Sequence, residues 1–122
     1  MVFGFGKSRN DIFNDVINWI SKIQFQKGQL AQDEKQYEQK RQIILYCNRI
    51  TEENLKPSEM DKTQLKKLSK ELENLHSAIY KTWNYDHKNN PRDLLQMLVK
   101  FNNYYLDENK QETIKFTNSR AA

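Results

Sequence analysis

At 122 residues, with 37% hydrophobic and 11% aromatic side chains, the chain has the length of one domain and can bury one modest core without disulfide or metal staples. A mean hydropathy of −0.98, with no apolar run near the ~20 residues of a bilayer span, excludes a transmembrane helix. Twenty basic residues stand against sixteen acidic ones for a net charge of +4; the mixed signs are unlike the one-sided basic cluster of a dedicated DNA binder and permit only weak nucleic-acid contact.

Three glycines and two prolines, against usual shares of about 7% and 5%, leave few breakers in a chain rich in Lys, Gln, Glu and Leu. The chain is therefore predicted to be all-α, with long helices and few turns. Met1 to Lys7 is apolar for only a few residues and carries its charge after them, which is too short and of the wrong polarity for a signal peptide. With Gly4 and Gly6 it reads as a flexible arm exposing Phe3 and Phe5, as a disordered end or a small hook for a partner. These features give the expectation of a cytoplasmic protein.

The first helix is predicted to start at Ser8–Asp11, a capping box in which Asp replaces the usual Glu. Ile12, Phe13, Val16, Ile17, Ile20 and Ile23 form its apolar stripe, opposite Asn14, Asp15, Asn18 and Lys22, with Trp19 on a flank. A turn is predicted at Lys27-Gly28, just after Phe25, because a glycine inside a helix costs about 1 kcal/mol and suits a left-handed cap. The second helix then spans Gln29 to Asn54. From Gln32 to Gln42 it is almost wholly polar, with Leu30, Ala31 and Tyr37 as its seam, and is expected to project past its neighbours or to be wetted on three sides. Ile43, Ile44, Leu45, Cys47 and Ile50 are expected in the core. Cys47, the only cysteine, cannot form an internal disulfide and reads as a small buried hydrophobe rather than a nucleophile.

Pro57 breaks the helix, since it drives the preceding residue out of helical geometry. Ser58 to Asp61 gives the next cap, and the third helix is predicted to run to about Tyr85. Leu65, Leu68, Leu72, Leu75 and Ile79 recur along it at spacings of 3, 4, 3 and 4, an apolar stripe that must be buried against other helices. After the loop Asp86 to Asn90, the fourth helix starts with Asn90 as N-cap, Pro91 at the first helical position and Asp93 at the third. It carries Leu94, Leu95, Leu98, Phe101, Tyr105 and Leu106; beyond Asp107 the chain is polar apart from Thr113–Phe116. The predicted architecture is a single domain over 1–122: an antiparallel bundle of about four helices, with its core at about 8–106 and flexible arms at 1–7 and 107–122.

Little chemistry is written along these helices. Glu73-Asn74-Leu75-His76 matches the Glu-x-x-His spacing of di-iron bundles, but the second copy such a site needs is absent, and His87 sits among turn formers. No metal or cofactor is expected. Neither a Gly-rich phosphate loop nor a serine elbow is present, so no catalytic residue is assigned and the chain reads as a non-enzyme. Lys62, Lys66 and Lys70 share one helix face, with Lys67 beside them. They read as a polyanion-binding face or as a solvated face paired with Glu59, Glu71 and Glu73. Tyr80, Trp83 and Tyr85 crowd the end of the third helix, and Tyr104 and Tyr105 the end of the fourth. Stripe spacing does not place all five in the core, so part of this cluster is expected at the surface as a protein-docking site.

In size and texture the chain resembles the small helical proteins of bacteria and phages that act by binding a larger protein, among them immunity proteins, enzyme inhibitors and secretion adaptors. The resemblance implies a non-enzymatic interaction module with a protein partner and assigns no individual residue. Two alternatives remain open: a nucleic-acid-associated protein using the lysine face, and a homo-oligomer zipped through the leucine stripe.

Overall fold

The computed structural model describes residues 7–32, 38–52, 55–83 and 90–106. These contain α1 (Arg9–Gln32), α2 (Glu38–Glu52), a 3-10 turn (Pro57–Glu59), α3 (Lys62–Trp83) and α4 (Pro91–Tyr105), with no strand among the described residues. The helical ends follow their caps. The amide of Asp11 donates to Ser8 Oγ (3.1 Å) and the amide of Ser8 to Asp11 Oδ2 (3.4 Å), so the capping box with Asp does start α1. At α4, Asn90 Oδ1 accepts from the amide of Arg92 (2.8 Å), with Pro91 in the first turn. The cap of α3 lies later than expected. Pro57–Glu59 forms the 3-10 turn, and Asp61 and Gln64 make the reciprocal box, at 2.8 and 2.9 Å.

The leucine stripe is the centre of the molecule. Leu65, Leu68, Leu72, Leu75 and Ile79 are all buried, and they meet Val16 and Ile23 of α1, Ile43, Cys47 and Ile50 of α2, and Leu94, Leu98 and Phe101 of α4 in one cluster. Each such side chain withdrawn from water contributes roughly 1.5–3 kcal/mol before the entropy of ordering is set against it.

The helices alternate in direction along the chain, and each packs on one sequential and one non-sequential neighbour. α1 packs on α2 and α3, and α4 packs on α2 and α3. Arg9 at the start of α1 bonds the carbonyl of Met60, while Gln26 further along bonds that of His76. Thus α1 and α3 run parallel, side by side. Lys67 meets Tyr104, and Leu75 shares a groove with Met97, which makes α3 and α4 antiparallel. Arg49 donates to the carbonyl of Leu106 (3.1 Å), so α2 and α4 end together.

Several sequence expectations are corrected here. No turn forms at Gly28, and α1 continues to Gln32. Val16, Ile23 and Leu30 are buried at seven-residue intervals, and burial of that continuous stripe outweighs one glycine's cost of about 1 kcal/mol. The second helix is described from Glu38; in its polar half Glu38, Arg41 and Gln42 are exposed while Lys40 is buried, so that stretch is wetted on most sides; residues 33–37, with Tyr37, lie outside the described residues. Ile17 (41% exposed) and Leu45 (60%) leave the core because each falls one or two residues off its helix's buried line. Lys7, expected in the flexible arm, is tied to Asp15 at 2.6 Å. Residues 1–6, with Phe3 and Phe5, and 107–122 lie outside the described residues.

Candidate functional site: the groove between α1 and α3

Two parallel helices side by side leave a groove along their outer seam. On α1 it is bordered by Asp15, Asn18, Lys22, Phe25 and Gln29, and on α3 by Ser69, Glu73, His76 and Tyr80. Both sets repeat every three, four or seven residues, the spacing of a single helical face. The upper part, around Phe25, Gln26, His76 and Tyr80, encloses about 530 Å³, and the lower part, around Asp15, Trp19 and Glu73, about 300 Å³.

The two parts differ in character. At the upper end Phe25 is 69% exposed and Tyr80 44% exposed. Gln26 lies between the helices, its Nε2 donating to the carbonyl of His76 (3.0 Å) while its buried Oε1 has no donor among the described residues. The His76 ring leans on Trp19 with centroids 5.3 Å apart, and Lys22 Nζ sits 4.6 Å above the Trp19 ring. Burial, and then the charge of Lys22, hold the His76 pKa below its ordinary value, so the ring is neutral at pH 7. The lower end carries opposite charges, the pair Lys7–Asp15 and the pair Lys70–Glu73 (3.4 Å).

The five aromatic residues of the cluster, part of which is expected at the surface, are divided by the topology. Tyr80 borders the α1/α3 groove. Tyr104 lies on the opposite flank of α3, where Lys67 Nζ reaches its hydroxyl (3.2 Å) and lies 4.3 Å from its ring centroid. Positions 67 and 80 are about 20 Å apart along a helix. Because α3 and α4 are antiparallel, the ends of the two helices point away from each other, and residues at both ends cannot gather. Tyr105 is 8% exposed, its ring 4.6 Å from that of Phe101, so it is core. Burial, then the carboxylate of Glu71, raise its pKa. Trp83 is half-buried against the core, and Tyr85 lies outside the described residues.

Tyr104 borders a second groove of about 330 Å³ between α3 and α4, with Met97, Phe101 and Lys100. Lys62, Lys66, Lys67 and Lys70 are all exposed. Of the expected pairings only Lys70–Glu73 forms; Lys67 turns to Tyr104, and Lys62 and Lys66 take part in no ion pair among the described residues. The leucine stripe is buried inside the chain's own bundle, so it is not available as a seam between copies.

Phe25 is the groove residue missed from the sequence. Its signal was the heptad phase: carrying Val16, Ile23 and Leu30 through Gly28 puts Gln26 on the buried side and Phe25 outside. Among the described residues, no three His, Cys, Asp or Glu side chains gather as metal ligands, and no helix is long and apolar enough to cross a membrane. No protein-family model, curated protein or solved structure matches the chain.

Proposed function

We propose that the chain is a non-enzymatic protein-interaction module, a small helical inhibitor, adaptor or immunity-type protein that binds a larger partner through the α1/α3 groove. The observation carrying this reading is the pairing of Phe25 and Tyr80, both exposed, on opposite sides of that groove. An exposed Phe forgoes roughly 2 kcal/mol of burial that a partner's surface would return. Large aromatics beside a concave surface are also the side chains that dominate binding energy at interfaces. The titratable groups support the non-enzymatic part. Burial pushes the Cys47 thiol up to about 12, far from a nucleophile's range. His76 packs at a tilt against Trp19, and burial holds its pKa below the ordinary value.

The test compares wild type with a Phe25→Ser/Tyr80→Ser double variant in capture from the source cell, after nuclease treatment and with circular dichroism as the folding control. A stoichiometric protein captured by wild type should be lost by at least about thirtyfold in affinity, the ~2 kcal/mol of a hot spot. Equal capture by the folded variant would overturn the reading. Capture that depends on nucleic acid and on Lys62 and Lys66 would favour the polyanion alternative, supported by their exposure and by the lack of an ion pair at either among the described residues.

A further inference from the structure

The α3/α4 groove lies beside the point where the chain leaves α4. Glu71 and Leu75 form its α3 wall, and Met97, Lys100, Phe101 and Tyr104 its α4 wall. Met97 is 37% exposed and Tyr104 41%, although both border a concave and mainly apolar surface. Tyr104 is the lining residue nearest the end of α4. Leu106 closes the helix two residues later, its amide donating to the carbonyl of Asn102 at 2.7 Å. The chain beyond starts with Asp107 at that same end. Its only large apolar side chains are Ile114 and Phe116, set in a run that is otherwise polar.

We propose that this groove seats the chain's own C-terminal segment, with Ile114 and Phe116 against Leu75, Met97 and Tyr104. Reach permits it. The α4 wall from Met97 to Tyr104 is about 10 Å long at 1.5 Å per residue. Residues 107 to 113 can span up to about 23 Å, enough to turn back from the end of α4 and bring Ile114 to Met97. A tether this short holds the segment at a local concentration on the order of millimolar, so a contact of modest intrinsic affinity is populated. Charge agrees with that path. Asp107, Glu108 and Glu112 precede the apolar pair, against one base, Lys110. Turning back along the groove, these acids pass Lys100 and Lys67, whose Nζ lies 4.3 Å from the Tyr104 ring centroid. Both lysines are exposed, and neither takes part in an ion pair among the described residues. Lys115, between Ile114 and Phe116, brings a cation to Glu71, the carboxylate of the groove. The other end of the chain is less well placed. Lys7 is tied to Asp15 at 2.6 Å in the lining of the α1/α3 groove, so residues 1–6 start from the opposite flank of α3. Seating of the C-terminal segment does not depend on what binds the α1/α3 groove, which it leaves uncovered.

Nuclear Overhauser contacts in the full chain test the idea, together with an Ile114→Ser/Phe116→Ser variant. Its circular dichroism spectrum should match wild type, because α1 to α4 are untouched. In wild type the Phe116 ring should show contacts to the Met97 methyl group and the Tyr104 ring. A mixed sample of differently labelled copies should show none of these contacts between molecules. In the variant the resonances of Leu75, Met97 and Tyr104 should shift, while those of Phe25 and Tyr80 hold. Peroxide should oxidise Met97 several-fold faster in the variant, where the segment no longer covers its sulfur. Lys67→Glu/Lys100→Glu should move the Met97 resonance in the same direction, and moderate salt should do so in wild type. Contacts from Phe116 to Phe25 or Tyr80 would overturn the proposal, as would contacts found only between copies. Variant shifts confined to the neighbours of positions 114 and 116, with Met97 oxidised at the wild-type rate, would overturn it equally.

Discussion

Arg9 Nε and Nη2 both donate to the carbonyl oxygen of Met60, at 2.9 and 2.7 Å, and Nη2 also reaches the carbonyl of Ser58 at 3.0 Å. One side chain thereby ties the first turn of α1 to the last carbonyls of the 3-10 turn that leads into α3. This contact sets the parallel pairing of α1 and α3 at its base, and so the register of the groove above it.

Replacing Arg9 with Ala should lower stability by about 1–2 kcal/mol, since charged donors to carbonyls are worth about 1.5–3 kcal/mol and these are partly exposed. Arg9→Lys should recover little, because a single ammonium cannot span the carbonyls that the planar fork reaches. Urea unfolding of the three proteins measures this. If Ala and Lys variants both match wild type, the fork is a surface decoration.

Gly28 lies inside α1, and a Cβ built there meets nothing within 4 Å. Gly28→Ala should therefore stabilise the protein by about 0.5–1 kcal/mol, through helix propensity and a less flexible unfolded chain. A decrease in thermal midpoint would show that the backbone there departs from a regular helix.

The fold was largely legible in the sequence because its strongest signals are local. Leu65 to Ile79 state their own periodicity, and Asn90-Pro91 states its own helix start. The errors came where tertiary burial outweighed a local preference. Gly28 reads as a stop only if nothing holds the helix on both sides, and Ile23 and Leu30 do so. The candidate site was legible only in part, because its geometry depends on which helices become neighbours. Tyr80 and Tyr104 look alike along the chain, each near a helix end. Only the packing of α3 between α1 and α4 puts them on opposite flanks.

Leu72 is fully buried at the middle of the α3 stripe. Leu72→Ala should cost about 2–5 kcal/mol, the lost transfer energy plus the cavity left behind. Leu72→Lys should prevent folding, since a charge there would have neither water nor a partner. A lysine variant that kept its thermal midpoint would mean that the stripe is not a core.

Cys47 joins burial to a pH dependence. Its side chain is 0% exposed within α2. Burial pushes the thiol from 9.0 to about 12, against a smaller opposing pull from the charge of Lys27. Between those values the unfolded chain releases the proton and the folded protein keeps it. The thiol's contribution is therefore fully present below pH 9.0 and is lost as pH rises toward about 12, at up to about 1.4 kcal/mol per pH unit. Urea unfolding between pH 8 and pH 10.5 should show a steeper loss for wild type than for Cys47→Ala. Comparing the two slopes removes the parallel effect of Tyr105, whose pKa is also raised. At pH 8 a thiol reagent should label the folded protein orders of magnitude more slowly than the urea-unfolded chain, at a rate set by opening of the bundle. Labelling at the free-thiol rate, together with identical pH slopes in the two proteins, would place the thiol in contact with water and α2 away from the core.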